Sequence, residues 1–340
     1  MNVGATKTAS RKPVWKNTIT LPWAPTGQVF FSPIIQIDGE YIVYVIDQAQ
    51  VFYSYNITTA TWAALTGPDY TSVATSRAIV FNRTLCISPD ETTIACISDG
   101  EYNAQGSQSD QRTGGGRRIE FYDIATGAWT ASSQTDFFVT GSYTSYIRAI
   151  VWADNDTLWC WCCSGYATMY QTNMEEFLGN CVKYTKSTDV WLPGDATFWI
   201  FTRFSGGVTY YGRAYPASIN SAGTIVYLGS AQNDYTWKSY TIATDVYSDA
   251  VTISPLYERF AYAYHRELLL YWAKGKSTPT DGTCQPGAYD PDVPYYSDDL
   301  VAENADRDSG YGQYFGMSKN VGLVVALVSA SAPEIGIFTE

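Results

Sequence analysis

Histidine is almost missing from this sequence, since His265 is the single copy among 340 residues. Metal sites that need two or three imidazoles are therefore excluded, and one side chain at most can act as an imidazole base. His265 stands in a predicted hairpin turn, where an ordinary surface histidine is expected. We therefore predict no histidine-based active site.

Positive charge is also scarce. Lys plus Arg number 21 and Asp plus Glu number 33, which gives a net charge of −12. Tight, sequence-independent binding of nucleic acid needs a basic face, so the composition argues against this class of function. An acidic surface still permits other kinds of partner.

Long hydrophobic runs are absent as well. No window approaches about 18 consecutive apolar residues, so no membrane span is predicted. The first residues are polar, carry Lys7, Arg11 and Lys12, and lack the apolar stretch of a secretory signal. We expect synthesis in the cytoplasm without a signal peptide. Residues 1–12 are predicted to form an N-terminal arm, and residues 13–340 a single domain.

The cysteines are odd in number and fall mostly in apolar runs. Buried free thiols are therefore the expected state, because cysteine packs in a strand as a small hydrophobe. A metal nest built from the cysteines of 158–163 is the alternative. The seven are Cys86, Cys96, Cys160, Cys162, Cys163, Cys181 and Cys284.

Aromatic residues, in contrast, are abundant. The chain has 28 Tyr, 14 Phe and 11 Trp, and 46% of it is hydrophobic, which is enough for a large core. Aromatic residues combined with many Thr, Ser and Gly residues favour strands and turns over helices. We predict an all-β protein.

An eight-residue pattern occurs four times. Each copy begins with Tyr and ends, seven residues later, with another aromatic residue. This pattern predicts a strand, a tight polar turn, and a second strand whose first large side chain packs against the first strand. The copies are 55–62, 122–129, 184–191 and 240–247.

Six apolar segments, each preceded by a short polar turn, predict the inner strands of six similar units. Near-continuous apolar runs are typical of strands that are covered on both faces. The segments are 41–46, 94–97, 158–163, 225–228, 268–272 and 323–328.

Six such units, repeated at intervals of about 45 to 65 residues, predict a six-bladed β-propeller with four-stranded antiparallel blades. Tyr122-Asp-Ile-Ala-Thr-Gly-Ala-Trp129 resembles the kelch-type blade signature. The paired glycines of the kelch family are missing from most units, for example at 45–47 and 162–164. The resemblance implies a ring of blades over nearly the whole chain.

Ring closure is predicted from the two ends of the chain. The last unit stops after a third strand in 334–340, while a spare strand-like segment, 14–21, precedes the first unit. We expect this N-terminal strand to complete the C-terminal blade, since the pairing removes an open sheet edge. Trp15 is then expected near Phe338.

Loop lengths predict which face of the ring docks partners. Three long insertions, 99–116, 164–180 and 275–296, are expected on one face, and the opposite face is expected to be flat. Exposed aromatic and Met residues suggest a contact surface, although the second insertion is about equally able to pack on its own blade. The predicted partner-binding residues are Tyr166, Met169, Tyr170, Met174, Phe177, Tyr289, Tyr295 and Tyr296 in the loops, with Lys7, Arg11 and Lys12 in the arm.

Ligand-binding alternatives are weaker, and no cofactor is predicted. Residues 114–118 read Gly-Gly-Gly-Arg-Arg, but they lead into a strand, whereas phosphate loops typically open a helix. The acidic stretch 290–308 lacks the spacing of a calcium loop and is expected to be a solvated acidic rim. A basic arm and an acidic rim could meet head to tail between subunits.

An enzyme is not predicted. Propeller glycosidases and sialidases need a carboxylate pair or an arginine cluster, and the sialidase-type box is not matched by any of the four turns. The arginine candidates are Arg148, Arg203, Arg213 and Arg259. A carbohydrate-binding or glycoside-cleaving propeller is the alternative function, with Tyr166, Tyr170, Tyr289, Tyr295 and Tyr296 stacking on sugar rings.

The overall composition resembles that of viral structural proteins, especially phage tail and neck components, because Lys and His are few while Tyr, Thr, Ser, Asn and Gly are abundant. The resemblance implies a non-enzymatic structural propeller of the virion that docks other protein subunits, as a hetero- or homo-oligomer. An acidic lumen would let DNA pass without sticking, since like charges repel.

Overall fold

Every regular element in the described part of the chain is a β-strand, as seen in a computed structural model. The strands form antiparallel sheets, which confirms the predicted all-β class. The structure describes residues 14–25, 29–47, 49–68, 85–98, 118–133, 144–165, 179–198, 201–205, 208–212, 214–220, 222–230, 236–244, 246–248, 251–252, 257–263, 268–274, 283–289, 307–308, 315–317, 323–329 and 334–339.

The first half of the chain forms three sheets, numbered here in chain order. Sheet 1 contains β2 (Val29–Phe31), β3 (Ile35–Ile37), β4 (Glu40–Asp47), β5 (Phe52–Asn56) and β6 (Thr61–Leu65). Sheet 2 contains β7 (Cys86–Ile87), β8 (Thr93–Ser98), β9 (Arg118–Asp123) and β10 (Trp129–Ala131). Sheet 3 contains β11 (Thr144–Trp152), β12 (Thr157–Gly165), β13 (Gly179–Thr185) and β14 (Val190–Phe198).

The second half forms three further sheets and one extra hairpin. The hairpin is β15 (Phe201–Ser205) with β16 (Val208–Gly212). Sheet 4 contains β17 (Ala214–Ile219), β18 (Ile225–Ser230), β19 (Thr236–Thr241), β20 (Val246–Tyr247) and β21 (Val251–Thr252). Sheet 5 contains β22 (Tyr257–Ala263), β23 (Leu268–Lys274), β24 (Thr283–Tyr289) and β25 (Arg307–Asp308). Sheet 6 contains β26 (Phe315–Met317), β27 (Leu323–Ser329), β28 (Glu334–Thr339) and β1 (Val14–Thr20).

The six predicted apolar segments each form the second strand of a sheet. They fall in β4, β8, β12, β18, β23 and β27, one in each of sheets 1–6. In β4 and β8, the side chains on both faces of the strand are largely buried. This is expected for inner strands of sheets that are covered on both faces. The repeat therefore predicted the second strand of each of sheets 1–6, but not the hairpin of β15 and β16.

The N-terminal strand closes the last sheet as predicted. β1 pairs antiparallel with β28, and the register places Val14 opposite Thr339 and Trp15 opposite Phe338. Sheet 6 has the order β1-β28-β27-β26, so the first strand of the chain is the fourth strand of the last sheet.

Contacts between sheets follow one cyclic order. Sheets 1 and 2 share a core cluster that includes Val43 and Ile94, and sheets 2 and 3 share one that includes Phe121 and Leu158. β17 approaches β11 and β22, which joins sheets 3, 4 and 5, and β27 approaches β25 and β2, which joins sheets 5, 6 and 1. The predicted number of six blades stays a prediction, because β15 and β16 form a seventh, two-stranded sheet.

The repeated Tyr-to-aromatic pattern forms the outer hairpin of sheets 1–4. In each hairpin the two aromatic residues face each other across the strands: Tyr55 with Trp62, Tyr122 with Trp129, Tyr184 with Trp191, and Tyr240 with Tyr247. The ring centroids of the three Tyr–Trp pairs are 4.6, 5.1 and 4.4 Å apart. Such contacts stabilise a hairpin by about 0.5–1.5 kcal/mol beyond simple burial.

The turns adopt the conformations that their sequences indicate. Asp38 and Gly39 both have positive φ, 52° and 85°, as a two-residue turn of the type favoured by Asp-Gly requires. In the three outer hairpins that contain Trp, the residue two positions before the Trp has a left-handed backbone conformation with positive φ. These residues are Ala60, Gly127 and Asp189. Glycine adopts this conformation without strain, whereas the other residues do not.

Candidate docking surfaces

Almost all of the predicted partner-binding residues lie outside the described residues. These are Tyr166, Met169, Tyr170, Met174, Phe177, Tyr295, Tyr296, Lys7, Arg11 and Lys12. Tyr289 is placed, as the last residue of β24, opposite Leu269. Their role in docking stays a prediction.

The sheets define two faces of the propeller. The face called here the turn face carries the connections from first to second strands and from third to fourth strands. In sheets 1–4 these connections are the short turns at 38–39, 57–60, 88–92, 124–128, 153–156, 186–189, 220–224 and 242–245. At the opposite face, called the insertion face, the second strands of sheets 2 and 3 end, at Ser98 and Gly165, and the third strands begin, at Arg118 and Gly179. The predicted insertions 99–116 and 164–180 lie largely outside the described residues.

The third predicted insertion, 275–296, is wrong as a single loop. Strand β24 occupies Thr283–Tyr289 and pairs with β23, so the chain crosses the sheet inside this segment. β23 ends and β24 begins at the insertion face, whereas Tyr289, the last residue of β24, lies at the turn face. β25 pairs only with Thr283 and Cys284, so the missing N–H of Pro286 removes no hydrogen bond to it.

Strand β1 begins at the turn face. Val14 lies opposite Thr339, and Thr339 lies opposite Leu323, the first residue of a second strand. First residues of second strands follow turn-face connections in this topology. Val14, the first described residue, therefore lies at the turn-face end of the outer edge strand of sheet 6.

Carboxylates dominate the described turns of sheets 1–3. Eight lie in or beside these turns, against one cation, Lys186. Seven of the eight accept hydrogen bonds from neutral donors, and none forms an ion pair with another described residue. The eight are Asp38, Glu40, Asp90, Glu91, Asp123, Asp154, Asp156 and Asp189.

These hydrogen bonds keep two of the carboxylates charged. Two bonds from Thr126, from its N–H and its hydroxyl, hold the pKa of Asp123 below its ordinary value. Partial burial alone raises the pKa of Asp90, but the bonds from Ser88 and Thr92 together outweigh it and lower the pKa. A carboxylate that accepts several hydrogen bonds is stabilised as the anion. Both groups therefore remain negative at neutral pH.

Hydrogen bonds between sheets fix the turns relative to one another. The Gln36 N–H donates to Glu91 at 3.5 Å, and the Asp90 N–H donates to Asn155 Oδ1 at 3.0 Å. The Ser133 N–H donates to Asp189 Oδ1 at 2.8 Å. These bonds connect sheets 1 to 2 and 2 to 3, so the turn face of the first three sheets is a continuous surface.

The outer tryptophans connect neighbouring sheets through their indole N–H groups. Trp129 donates to the Thr66 carbonyl at 2.8 Å, and Trp191 donates to the Ser133 hydroxyl at 3.2 Å. The equivalent N–H of Trp62 is buried without a hydrogen-bond partner. Trp62 instead lies edge-to-face with Trp23, with ring centroids 5.9 Å apart.

Trp23 fastens the segment after β1 to sheet 1. Its ring stacks on Tyr53 at 4.6 Å, and its indole N–H donates to Asp47 Oδ2 at 3.1 Å. Asp47 is fully buried and also accepts the Val51 N–H. The buried carboxylate thus holds the chain that passes from the closing strand into the first sheet.

Four serines that the sequence patterns did not single out pair with the backbone of neighbouring strands, and three of them, Ser32, Ser88 and Ser132, are buried. Ser32 exchanges two hydrogen bonds with Tyr44: its N–H donates to the Tyr44 carbonyl, and its hydroxyl accepts the Tyr44 N–H, each at 2.9 Å. Ser88, Ser132 and Ser248 make the same pair of bonds to their neighbouring strands. A lone serine carries no distinctive sequence signal, so these positions were missed.

Other predicted features have mixed outcomes. Cys86, Cys96 and Cys160 are free thiols as predicted, and burial raises the pKa of Cys86 and Cys96. Within the described ranges, no group of three or more His, Cys, Asp or Glu residues is arranged to hold a metal, and no helix is long and apolar enough to span a membrane. Residues 114–117, most of 290–308, and His265 lie outside the described residues.

The arginines considered for catalysis stand on different elements. Arg148 lies in β11 of sheet 3, Arg203 in β15, and Arg259 in β22 of sheet 5. Arg213 lies outside the described residues.

Comparison with known proteins gives evidence about the fold of this chain. No protein-family model matches the chain, and no curated protein matches it. The chain is similar to a chain in the "Crystal Structure of Mitotic Checkpoint Complex", with 10% sequence identity and a TM-score of 0.51 over 99% of this chain and 95% of that chain. At this identity the likeness concerns the fold alone. Together with the repeated four-stranded sheets, it shows that the chain has a β-propeller fold.

Proposed function

We propose that this chain is a non-enzymatic scaffold of the kelch-like propeller type that binds other protein subunits. The observation that carries the proposal is the pairing of β1 with β28, which covers the edge of β28 and joins the first strand of the chain to the last sheet. Closure and the bonds between turns give a rigid platform with two loop-bearing faces. Rigid scaffolds that present loops are well suited to binding.

The proposed setting is a virion, as a tail or neck component made in the cytoplasm. Two features support it: the acidic balance of 21 basic to 33 acidic residues, and the composition that resembles viral structural proteins. A predominantly acidic ring would bind a passing nucleic acid weakly, since phosphate contacts require Lys and Arg.

The assembly part of this proposal is tested by light scattering of the purified chain over a range of concentrations. We expect a defined oligomer, with a mass that is a multiple of 37.6 kDa. A species of 37.6 kDa at every concentration would contradict self-assembly. Mass spectrometry of purified virus particles then tests the setting, because a virion component is retained with the particles after extensive washing.

The non-enzymatic part is tested with a panel of polysaccharides and glycosides. We expect neither release of reducing sugar nor retention of the protein on the immobilised glycans. Hydrolysis of any member, abolished by replacing a carboxylate, would establish the glycosidase alternative instead.

A further inference from the structure

One described element stands apart from the repeated sheets, namely the hairpin of β15 and β16. It belongs to the connection from sheet 3 to sheet 4, between the end of β14 and the start of β17. Both of these strand ends are at the insertion face, because Phe198 lies opposite Gly179 and Ala214 lies opposite Ser230. The hairpin therefore starts and ends at the insertion face.

The hairpin is a regular two-stranded sheet with two free edges. Each strand has 5 residues, and the register runs without a shift from Phe201 opposite Gly212 to Ser205 opposite Val208. No other described strand pairs with either outer edge. A two-stranded sheet alone is marginally stable in water, and further strands stabilise it. The hairpin is therefore suited to pairing with an additional strand.

The hairpin also lacks the features that protect the outer strands of the main sheets. β14 contains Pro193 and a shift in register, β1 has a shift in register at Lys16, and β10, β20, β21 and β25 are very short. Proline, lysine, bulges and short length all hinder the addition of a strand to an edge. Residues 201–205 and 208–212 have none of these features, and their Phe, Tyr, Thr and Val residues favour strands. β6 also lacks them, but it belongs to a sheet of five strands.

The register determines which backbone groups of β16 point outwards. Ser205 and Val208 are separated by two residues, so they form the hydrogen-bonded pair that closes the hairpin. Hydrogen-bonded and non-hydrogen-bonded pairs alternate along an antiparallel ladder, so Thr209 and Tyr211 direct their N–H and C=O groups away from β15. In an antiparallel copy of β16 centred on Tyr210, Thr209 of each chain lies opposite Tyr211 of the other. Each such pair can exchange both of its hydrogen bonds.

Charge favours the edge of β16 over the edge of β15. The equivalent arrangement of β15 is centred on Arg203 and sets this arginine opposite its own copy, with Cα atoms about 4.5 Å apart. Like charges directly opposite each other destabilise a sheet, whereas pairs of aromatic residues stabilise it. β16 contains no charged residue, and its central residue is Tyr210. The edge of β16 is thus complementary to itself, as a twofold interface requires.

We propose that two copies of this chain associate through β16, which pairs antiparallel with β16 of the second copy about Tyr210. The two hairpins then form one four-stranded sheet with the order β15-β16-β16-β15, which joins the propellers at the insertion face of each. This inference specifies the partner for the self-assembly part of the proposed function and rests on that part.

A matched pair of proline variants tests the edge. Thr209→Pro removes an outward-pointing N–H from β16, and Thr202→Pro makes the same change on the outer edge of β15. Neither change removes a hydrogen bond within the hairpin, and proline is tolerated at such edge positions. Light scattering of the wild type is expected to show a dimer of twice 37.6 kDa. Thr209→Pro is expected to raise its dissociation constant about thirty-fold, because the symmetry doubles the loss of one hydrogen bond, and Thr202→Pro is expected to leave it unchanged.

A disulfide between chains tests the register. Tyr210→Cys sets two thiols opposite each other at the twofold axis, with a Cα separation that a disulfide can span. Arg203→Cys is the control, because β15 lies on the outside of the four-stranded sheet. Mild oxidation is expected to join residue 210 to residue 210 of the second copy, as identified by peptide mapping, and not to join residue 203 to residue 203.

Different results would overturn the pairing and the assembly. A dimer that Thr209→Pro leaves unchanged, or that forms no disulfide between the two residues 210, would overturn pairing through β16 and leave self-assembly intact. A mass of 37.6 kDa at every concentration would contradict both. In a mixture of Tyr210→Cys and Arg203→Cys chains, disulfides from residue 203 to residue 210 would show that β15 pairs with β16 instead, which also overturns the proposal.

Discussion

The hydroxyl of Ser32 offers a sharp test of how the sheets are completed. Pro33 interrupts the first strand between β2 and β3, and Ser32 Oγ takes over as the acceptor for the Tyr44 N–H at 2.9 Å. Ser32 is fully buried, so water cannot replace the hydroxyl without a rearrangement. Ser32→Ala removes the acceptor and leaves a buried backbone donor unpaired.

The expected loss follows from that unpaired donor. An unsatisfied buried N–H destabilises a protein by about 1–3 kcal/mol. The backbone bond from the Ser32 N–H to the Tyr44 carbonyl remains, which limits the loss to the one donor. The Tyr44 amide is therefore expected to exchange its hydrogen about 5-fold to about 160-fold faster.

Urea unfolding and hydrogen exchange measured by mass spectrometry provide the assay. Thr130→Val is the control, because it removes an exposed hydroxyl from β10 and keeps a branched side chain. We expect this control to stay within about 0.5 kcal/mol of wild type. Equal unfolding free energies for Ser32→Ala and Thr130→Val would refute the assigned role of the serine hydroxyl.

Three further predictions concern the aromatic hairpins and their turns. Trp129→Phe loses the hydrogen bond to the Thr66 carbonyl, whereas Trp62→Phe removes an indole N–H that has no hydrogen-bond partner. Urea titration should therefore show that Trp129→Phe is less stable than Trp62→Phe by about 1 kcal/mol. Equal losses of unfolding free energy in the two variants would contradict this. Ala60→Gly should raise the free energy of unfolding by about 0.5–1 kcal/mol, since it relieves a left-handed alanine, and a decrease would contradict the strain. Burial, and then Tyr122, raises the pKa of Tyr44 to about 12, so its contribution to stability is complete below pH 10 and is lost as the pH rises towards 12. Urea titrations across this range should show a fall that is smaller in Tyr44→Phe, and an identical fall would contradict it.

Sequence patterns predicted the parts of the fold that depend on local chemistry. The run of apolar residues in β4 and the Asp38-Gly39 turn before it specify a buried hairpin without reference to the rest of the chain. The pairing of Tyr55 with Trp62 follows from their spacing around a four-residue turn. Closure by β1 was predictable because a unit with three strands leaves one edge unpaired.

Other features depend on contacts that the sequence does not display. β24 contains Pro286 and Gly287, which favour a loop, and it forms because it pairs with the long apolar strand β23. Because β24 crosses the sheet, Tyr289 lies at the turn face and not in a loop of the insertion face. The Ser133 hydroxyl that accepts the Trp191 N–H belongs to a different sheet from Trp191, so only the packing of blades brings the pair together.

Pairing of β1 with β28 is the central claim, and a designed disulfide tests it most directly. Thr20 lies opposite Glu334, so Thr20→Cys combined with Glu334→Cys places two thiols across the strands. Thr20→Cys with Ile335→Cys is the control, because neighbouring residues of a strand point to opposite faces. The account predicts that mild oxidation joins residues 20 and 334 and not residues 20 and 335, as shown by peptide mapping. Failure of the first pair to form, or equal formation of both, would contradict closure of the ring by the N-terminal strand.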